Sequence, residues 1–339
     1  MSVRVAVVGA TGAVGRRMLH TLDARNFPAS SVVALASSRS RGRKVSFGEG
    51  RTLTVQSLED FDFTETDLAL FSAGGSVSAE HAPRAAATGT IVVDNSSYFR
   101  MEEDVPLVVP EVNADALRRV GQRNIVANPN CSTIQLVVAL KPLHDIVPIR
   151  RVVVSTYQSV SGAGMGAMEE LEAQVRGELF NEQAAIERLP RRIAFNVVPH
   201  IDVFEDDGST REEWKMVHET RKILDPEIAL AATCVRVPVF IGHAEAVNVE
   251  FAGPVSPSDA TDALMVAPGV EVVDADDVQM YATPIDCVHE DPVFVSRIRT
   301  DPTVDHGLQF WTVADNVGKG AALNAVQIAE QLLRGDFLH

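Results

Sequence analysis

Val3-Arg-Val-Ala-Val-Val-Gly-Ala-Thr-Gly-Ala-Val-Gly15 is an apolar run that ends in three glycines, and Met18, Leu19 and Leu22 follow it at helical spacing. It reads as strand, glycine turn and helix. Glycines at such a turn let the backbone approach a pyrophosphate closely, and the helix N-terminus meets the charge. The spacing is G-x-x-G-x-x-G rather than the commoner G-x-G-x-x-G. The motif draws its weight from its place in the first strand–helix unit.

Working outward, the βαβ rhythm continues. Buried strands are expected at 32–36, 68–71 and 90–94, with a helix near 77–87, and this implies a parallel, doubly wound sheet with ligand loops at the carboxyl ends of its strands. At the end of the second strand an NAD site carries an acidic residue for the ribose 2′-hydroxyl. Ser37-Ser38-Arg39-Ser40 stands there instead. An arginine among hydroxyls suits a 2′-phosphate, so NADP is expected over NAD. The alternative is a solvated basic turn, since Arg41, Arg43 and Lys44 follow. Arg100, beyond the 90–94 strand, is placed to bind an anion or to make a surface salt bridge.

Asn128-Pro-Asn-Cys131-Ser-Thr then opens a wholly apolar helix containing Ile134, Leu136, Val137, Val138 and Leu140. Pro129 and Asn130 hold the chain out of helical conformation, so Cys131 sits at a helix start. Backbone N–H groups and the helix dipole there favour a thiolate, the form that attacks carbonyl carbon. An inert core thiol is the competing reading. Beyond it come a strand at 150–158, a glycine-containing turn, and a helix at 165–180 whose outer face carries Glu169, Glu170 and Glu172. A helix at 211–224 follows with Glu212, Glu213 and Lys215, a cluster that reads as a solvated face. Strands at 229–240 and 244–252 are joined through Ile241-Gly-His243, and strands at 292–299 and 308–314 complete a mixed sheet. Alone, His243 reads as a structural imidazole. Beside a thiolate it suits proton transfer near neutral pH. The helix from 321 to 333 is expected to pack back on the N-terminal half.

Composition limits the classes. The 339 residues suffice for two domains. Cys131, Cys234 and Cys287 cannot all pair within one chain and have no metal-ligand spacing, so no metal is expected and a reducing cytoplasm is the natural setting. A net charge of −16 without Lys/Arg runs argues against nucleic acid and anionic membrane as partners. The N-terminus is too short in apolar residues for a signal peptide, and no run is long enough to span a bilayer.

Five motifs in order resemble the aspartate-semialdehyde dehydrogenase family: Gly9 to Gly15, Asn128 to Thr133, Tyr157-Gln-Ser-Val-Ser-Gly-Ala-Gly164, Glu213-Trp-Lys-Met216 and Arg236-Val-Pro-Val-Phe-Ile-Gly-His243. The resemblance covers essentially the whole chain. It implies an α/β protein: a Rossmann-type NADP domain at 1–130, completed by the C-terminal helix at 320–339, and a central α+β catalytic and dimerisation domain at 131–319. It also implies a homo-oligomer, most often a dimer. The implied reaction interconverts L-aspartate 4-semialdehyde, phosphate and NADP⁺ with L-aspartyl 4-phosphate and NADPH, and it feeds lysine, threonine and methionine synthesis.

By the same resemblance Cys131 forms the acyl-thioester, His243 moves the proton and Gln158 orients the reacting group. Arg236 binds the substrate α-carboxylate, Arg100 and Lys215 bind phosphate, Asn130 lines the substrate site, and Glu212, with Glu213 as its rival, binds the amino group. Gly9, Thr11, Gly12, Ala13, Val14, Ser38, Arg39, Ser40, Ser161, Gly162 and Asn316 are implied for NADP. N-acetyl-glutamyl-phosphate reductase is the nearest alternative, but its substrate has no free amino group for an acidic pair to meet. A non-catalytic NADP-binding paralogue would have no use for Cys131, Gln158, Arg236 and His243 together. A cysteine–histidine hydrolase would have none for the first glycine turn.

Overall fold

Continuous valine, isoleucine and leucine runs form strands that a parallel sheet buries on both faces. In the computed structural model, which describes residues 2–273, 280–335 and 337, the chain divides into two compact units: Met1–Asn130 with Ala321–His339, and Cys131–Gly320. The first unit contains β1 (Val3–Val8), α1 (Ala13–Ala24), β2 (Ala29–Ala36), the hairpin β3 (Lys44–Ser46) and β4 (Thr52–Thr54), β5 (Gln56–Ser57), β6 (Leu68–Phe71), α2 (Gly75–Ala86), β7 (Ile91–Asp94), α3 (Pro110–Asn113) and β8 (Ile125–Ala127). Its main sheet has the order β5-β2-β1-β6-β7-β8, parallel throughout. The order reverses between β1 and β6. That is the switch point at which doubly wound sheets hold ligands.

Gly9 follows β1 with φ +84°, and a Cβ there would lie 2.7 Å from the Ser72 carbonyl oxygen at the end of β6. Only glycine fits. At Gly15 a Cβ would come within 2.2 Å of the Gly9 oxygen, so this glycine lets α1 sit down on the turn. The C-terminal helix Asn324–Arg334 adds Ala325, Val326, Ile328, Ala329 and Leu332 to the core that holds Met18, Leu19 and Leu22 of α1. It is preceded by a wider π-helical turn, Gly318–Leu323, rather than by regular α-helix from residue 321. The last part of the expected 320–339 segment, residues 336, 338 and 339, lies outside the described residues.

The second unit begins with α4 (Cys131–Ile146), then β9 (Ile149–Gln158), α5 (Met165–Phe180), α6 (Arg211–Ile223), β10 (Ala229–Arg236), β11 (His243–Phe251), α7 (Pro257–Met265), β12 (Val270–Val272), β13 (Val293–Thr300) and β14 (Gly307–Ala314). The sheet order is β10-β9-β11-β14-β13-β12. It is mixed: β9/β10 and β12/β13 run parallel, the other pairs antiparallel. Ile134, Leu136, Val137, Val138 and Leu140 are all buried, as a helix apolar on every side must be.

Two sequence expectations need correction here. The strand expected at 229–240 stops at Arg236, whose backbone N–H and C=O both bond to Val198, while Val239 and Phe240 turn away to accept from Val160 and Ser161. Glu170 does not belong to an outer acidic face. It is buried in α5 and accepts backbone N–H groups of Glu187 (3.0 Å) and Arg188 (2.6 Å). The carboxylate thereby anchors the following loop.

Candidate active site

Cys131 is the first residue of α4 and is partly exposed, in contrast to the buried Cys234 and Cys287. Burial, followed by the Glu212 charge, pushes the Cys234 thiol far up, and burial with Asp315 takes Cys287 to about 12. Gly320 faces Cys131 closely. A Cβ at 320 would lie 2.8 Å from the Cys131 Cβ, so any side chain there would displace the thiol.

His243 opens β11 and is fully buried. Its Nδ1 accepts the Ser159 backbone N–H at 3.1 Å and lies 3.0 Å from Ser159 Oγ. This assigns the neutral ring's proton to Nε2, which makes no hydrogen bond to the protein. Burial, reinforced by the charge of Arg236, lowers its pKa to about 3. At neutral pH the imidazole is therefore an N–H donor. Arg236, last in β10, is buried and donates from Nη1 to the Ser159 carbonyl at 2.8 Å. A Cβ on Gly162 would lie 2.9 Å from Arg236 Nη1 and 3.4 Å from His243 Nε2. The turn after β9 thus leaves both polar heads uncovered by a side chain.

The solvated face expected for α6 is a built site instead. Thr210 and Glu213 form a capping box, and the second Glu213 oxygen accepts the Cys234 N–H at 2.9 Å. Glu213 is thereby committed to backbone. Glu212 is buried, accepts from Gln158 Nε2 at 3.2 Å and pairs with Lys215 Nζ at 3.1 Å. Lys215 also pairs with Asp202 at 2.7 Å. Burial works to raise the Asp202 carboxyl, but the Lys215 hydrogen bond and charge outweigh it and hold it low. Gln158, Glu212, Lys215, Arg236 and His243 accordingly stand in one hydrogen-bonded and electrostatically coupled set with Cys131, whose charge Arg236 feels.

Several contributors carry no sequence signal. Ser159 orients His243 through its main chain, and Asp202 comes from an irregular segment. Asn316, implied for NADP, has its Oδ1 on the N–H of Gly242 (2.9 Å) and near the hydroxyls of Ser159 and Ser161, so it braces the turn before His243. Glu245 is fully buried on β11, and neither carboxyl oxygen has a hydrogen-bond partner. Burial raises its pKa well above the carboxylate range, so it is a neutral acid.

In the first unit, α1 starts after Gly12 without a side-chain cap, which leaves its first N–H groups to a ligand. With Gly9 and Gly15 keeping the turn bare, these residues fit a pyrophosphate. Ser38–Ser40 form a short 3₁₀ turn after β2, and the Arg39 side chain is exposed. Arg100 is no surface ion pair. It is buried and donates to the carbonyls of Asn128 (2.9 Å) and Asn95 (3.0 Å) beyond β8 and β7. Asn130 is buried at the end of the same segment.

Residues 4–120 match the family model for the NAD binding domain of semialdehyde dehydrogenases, and residues 140–319 match that for their dimerisation domain. Fold and site together define a semialdehyde dehydrogenase. The aspartate-semialdehyde dehydrogenase of Legionella pneumophila is 55% identical over 339 residues, covering 99% of this chain and 97% of the relative. That of Aquifex aeolicus is 52% identical over 337 residues, covering 98% and 99%. The solved structure of Vibrio cholerae aspartate semialdehyde dehydrogenase II complexed with ASA has TM-score 0.96 and 50% identity, covering 98% of this chain and 99% of that one. The enzyme from Candida albicans with NADP has TM-score 0.77 and 28% identity, covering 98% and 99%. The chain belongs to the aspartate-semialdehyde dehydrogenase family, oxidoreductases of lysine, threonine and methionine biosynthesis.

No helix among the described residues is long and apolar enough to cross a membrane.

Proposed function

We propose that this chain interconverts L-aspartate 4-semialdehyde, phosphate and NADP⁺ with L-aspartyl 4-phosphate and NADPH through a thioester at Cys131. The observation that carries the reading is the buried set of Gln158, Glu212, Arg236 and His243, with the half-buried Lys215, coupled through Arg236 to a partly exposed cysteine. Arg236 takes the substrate α-carboxylate, Glu212 the amino group, and Lys215 with Arg100 the phosphate. Glu212 is preferred to Glu213 because both Glu213 oxygens are held by backbone N–H groups.

In the oxidative direction the Cys131 thiolate adds to the aldehyde carbon. A C–S bond forms, and the carbonyl π pair becomes an alkoxide that accepts from His243 Nε2–H while Gln158 fixes its orientation. NADP, when bound at Gly9 to Val14 and Ser38 to Ser40, supplies the hydride acceptor. A phosphate oxygen then attacks the Cys131 thioester, the C–S bond breaks and the thiolate returns. Splitting the reaction this way lowers each barrier.

The matched dimerisation domain and the alternation of the second sheet support a homodimer. Along β9, β11 and β14 one face is buried, while Ser155, Tyr157, Ala246, Asn248 and Trp311 on the other stay at least partly exposed. The free cysteines suit a reducing cytoplasm.

One assay tests the activity: NADPH formation from aspartate semialdehyde, compared with N-acetylglutamate semialdehyde, in phosphate buffer with NADP. Preference for the N-acetylated substrate would overturn the reading of Glu212.

A further inference from the structure

β5 pairs with β2 so that Ser57 lies beside Ala36, and the segment after β5 is fixed next to the end of β2. The Leu58 N–H bonds to the Ala36 carbonyl at 2.9 Å, and Arg84 donates to the carbonyls of Leu58 (2.6 Å) and Glu59 (2.9 Å). This clamp brings the Glu59 carboxylate to the very turn where sequence showed no acid. One oxygen accepts the Ser38 backbone N–H at 3.3 Å, the other the Ser57 hydroxyl at 2.8 Å. Hydrogen bonds from its own backbone, from Ser57 and from Ser38 hold Glu59 below the usual carboxylate range, so it stays ionised.

A doubly wound dinucleotide site reads its adenosine ribose at the end of the second strand. An acid there accepts the 2′-hydroxyl of NAD, whereas an arginine and backbone or hydroxyl donors take the 2′-phosphate of NADP. This turn holds both devices at once. Resting on the reading of Ser38 to Ser40 as the 2′-phosphate site, we infer that Glu59 determines cofactor specificity: its carboxylate accepts the ribose 2′-hydroxyl of NAD and must leave the Ser38 N–H to admit the 2′-phosphate of NADP. The chain then binds both cofactors, and Glu59 holds down its preference for NADP. Arg39, exposed on the same turn, supplies the opposing attraction.

The test is calorimetric binding of 2′,5′-ADP and of 5′-AMP to the full chain and to Glu59→Gln, Glu59→Ala and Arg39→Ala. These fragments differ at the 2′ position and need no catalysis. Removing one negative charge beside a doubly charged phosphate at a solvent-exposed turn should tighten 2′,5′-ADP by about fivefold relative to 5′-AMP in both Glu59 variants. Glu59→Ala should also weaken 5′-AMP, since the acceptor for the 2′-hydroxyl is gone. An unchanged ratio in both variants, with Arg39→Ala still losing 2′,5′-ADP, would overturn the role of Glu59 alone. If Arg39→Ala leaves 2′,5′-ADP affinity unchanged, the 2′-phosphate site itself is misassigned and the inference falls with it.

Discussion

The Ser38–Ser40 turn and the Arg236–His243 corner handle charge in opposite ways. At the turn the groups lie on a short 3₁₀ segment, with the side chains of Ser38 and Arg39 exposed. At the corner Arg236 and His243 are buried, and backbone groups of a single residue, Ser159, hold both of them. In its proposed role the open turn discriminates between ligands by small energies. The closed corner, in its proposed role, is preorganised for charge that develops during reaction. A change at the turn should retune affinity, and a change at the corner should damage turnover.

The largest effect is expected at the thiol itself. Cys131→Ala should lower kcat by at least about four orders of magnitude, as removal of a covalent nucleophile does, while NADP binding measured by calorimetry is retained. Limited iodoacetamide should label Cys131 first in mass mapping. Labelling of Cys234 or Cys287 with activity intact would break the contrast, since their buried thiols have raised pKa values.

Gly162→Ala comes next. A methyl group 2.9 Å from Arg236 Nη1 and 3.4 Å from His243 Nε2 should shift both heads and cost about 10- to 100-fold in kcat/KM for the semialdehyde. The Tm should move much less. A loss of kcat/KM no greater than the loss of folded protein would show that the turn matters only for folding.

A smaller effect concerns pH. His243 is buried neutral with its pKa lowered to about 3, whereas the unfolded chain binds its proton near about 6.5. Above that value the residue is neutral in both states and contributes no pH dependence. As pH falls from there toward 3 the unfolded state gains the proton first, so its contribution destabilises the fold by about 1.4 kcal/mol per pH unit. Denaturant unfolding of wild type and His243→Gln across this window should show the wild type losing more. Parallel pH profiles would contradict a buried neutral ring.

The smallest effect is expected at Glu245. Because the acid is neutral, Glu245→Gln should cost under about 1 kcal/mol, whereas a buried ionised carboxylate that had lost a cation partner would cost several. Chemical denaturation distinguishes the two.

How much of this was legible in sequence follows from the same contrast. β1, β6 and β7 were readable because strands buried on both faces must be continuous apolar runs, and Gly9 because its φ excludes other residues. Cys131 was singled out by its place at a helix start, and Arg236 and His243 by motif. Ser159 was not assigned a role, because a backbone N–H leaves no trace in residue identity. Glu170 and Glu212 read as solvated charges because helical spacing tells which residues share a face, not what covers it. Glu59 escaped because β5, only Gln56–Ser57, is too short to show period-two alternation, and only pairing with β2 brings the carboxylate to the turn.

The most direct measurement of the central proposal is a single-turnover experiment with the semialdehyde and NADP in buffer stripped of phosphate and arsenate. The expected result is a burst of NADPH stoichiometric with enzyme, an acyl adduct on Cys131 by mass spectrometry, and resumed turnover when phosphate is added. Continuous NADPH production without phosphate, with free aspartate accumulating, would contradict a phosphorylating thioester mechanism.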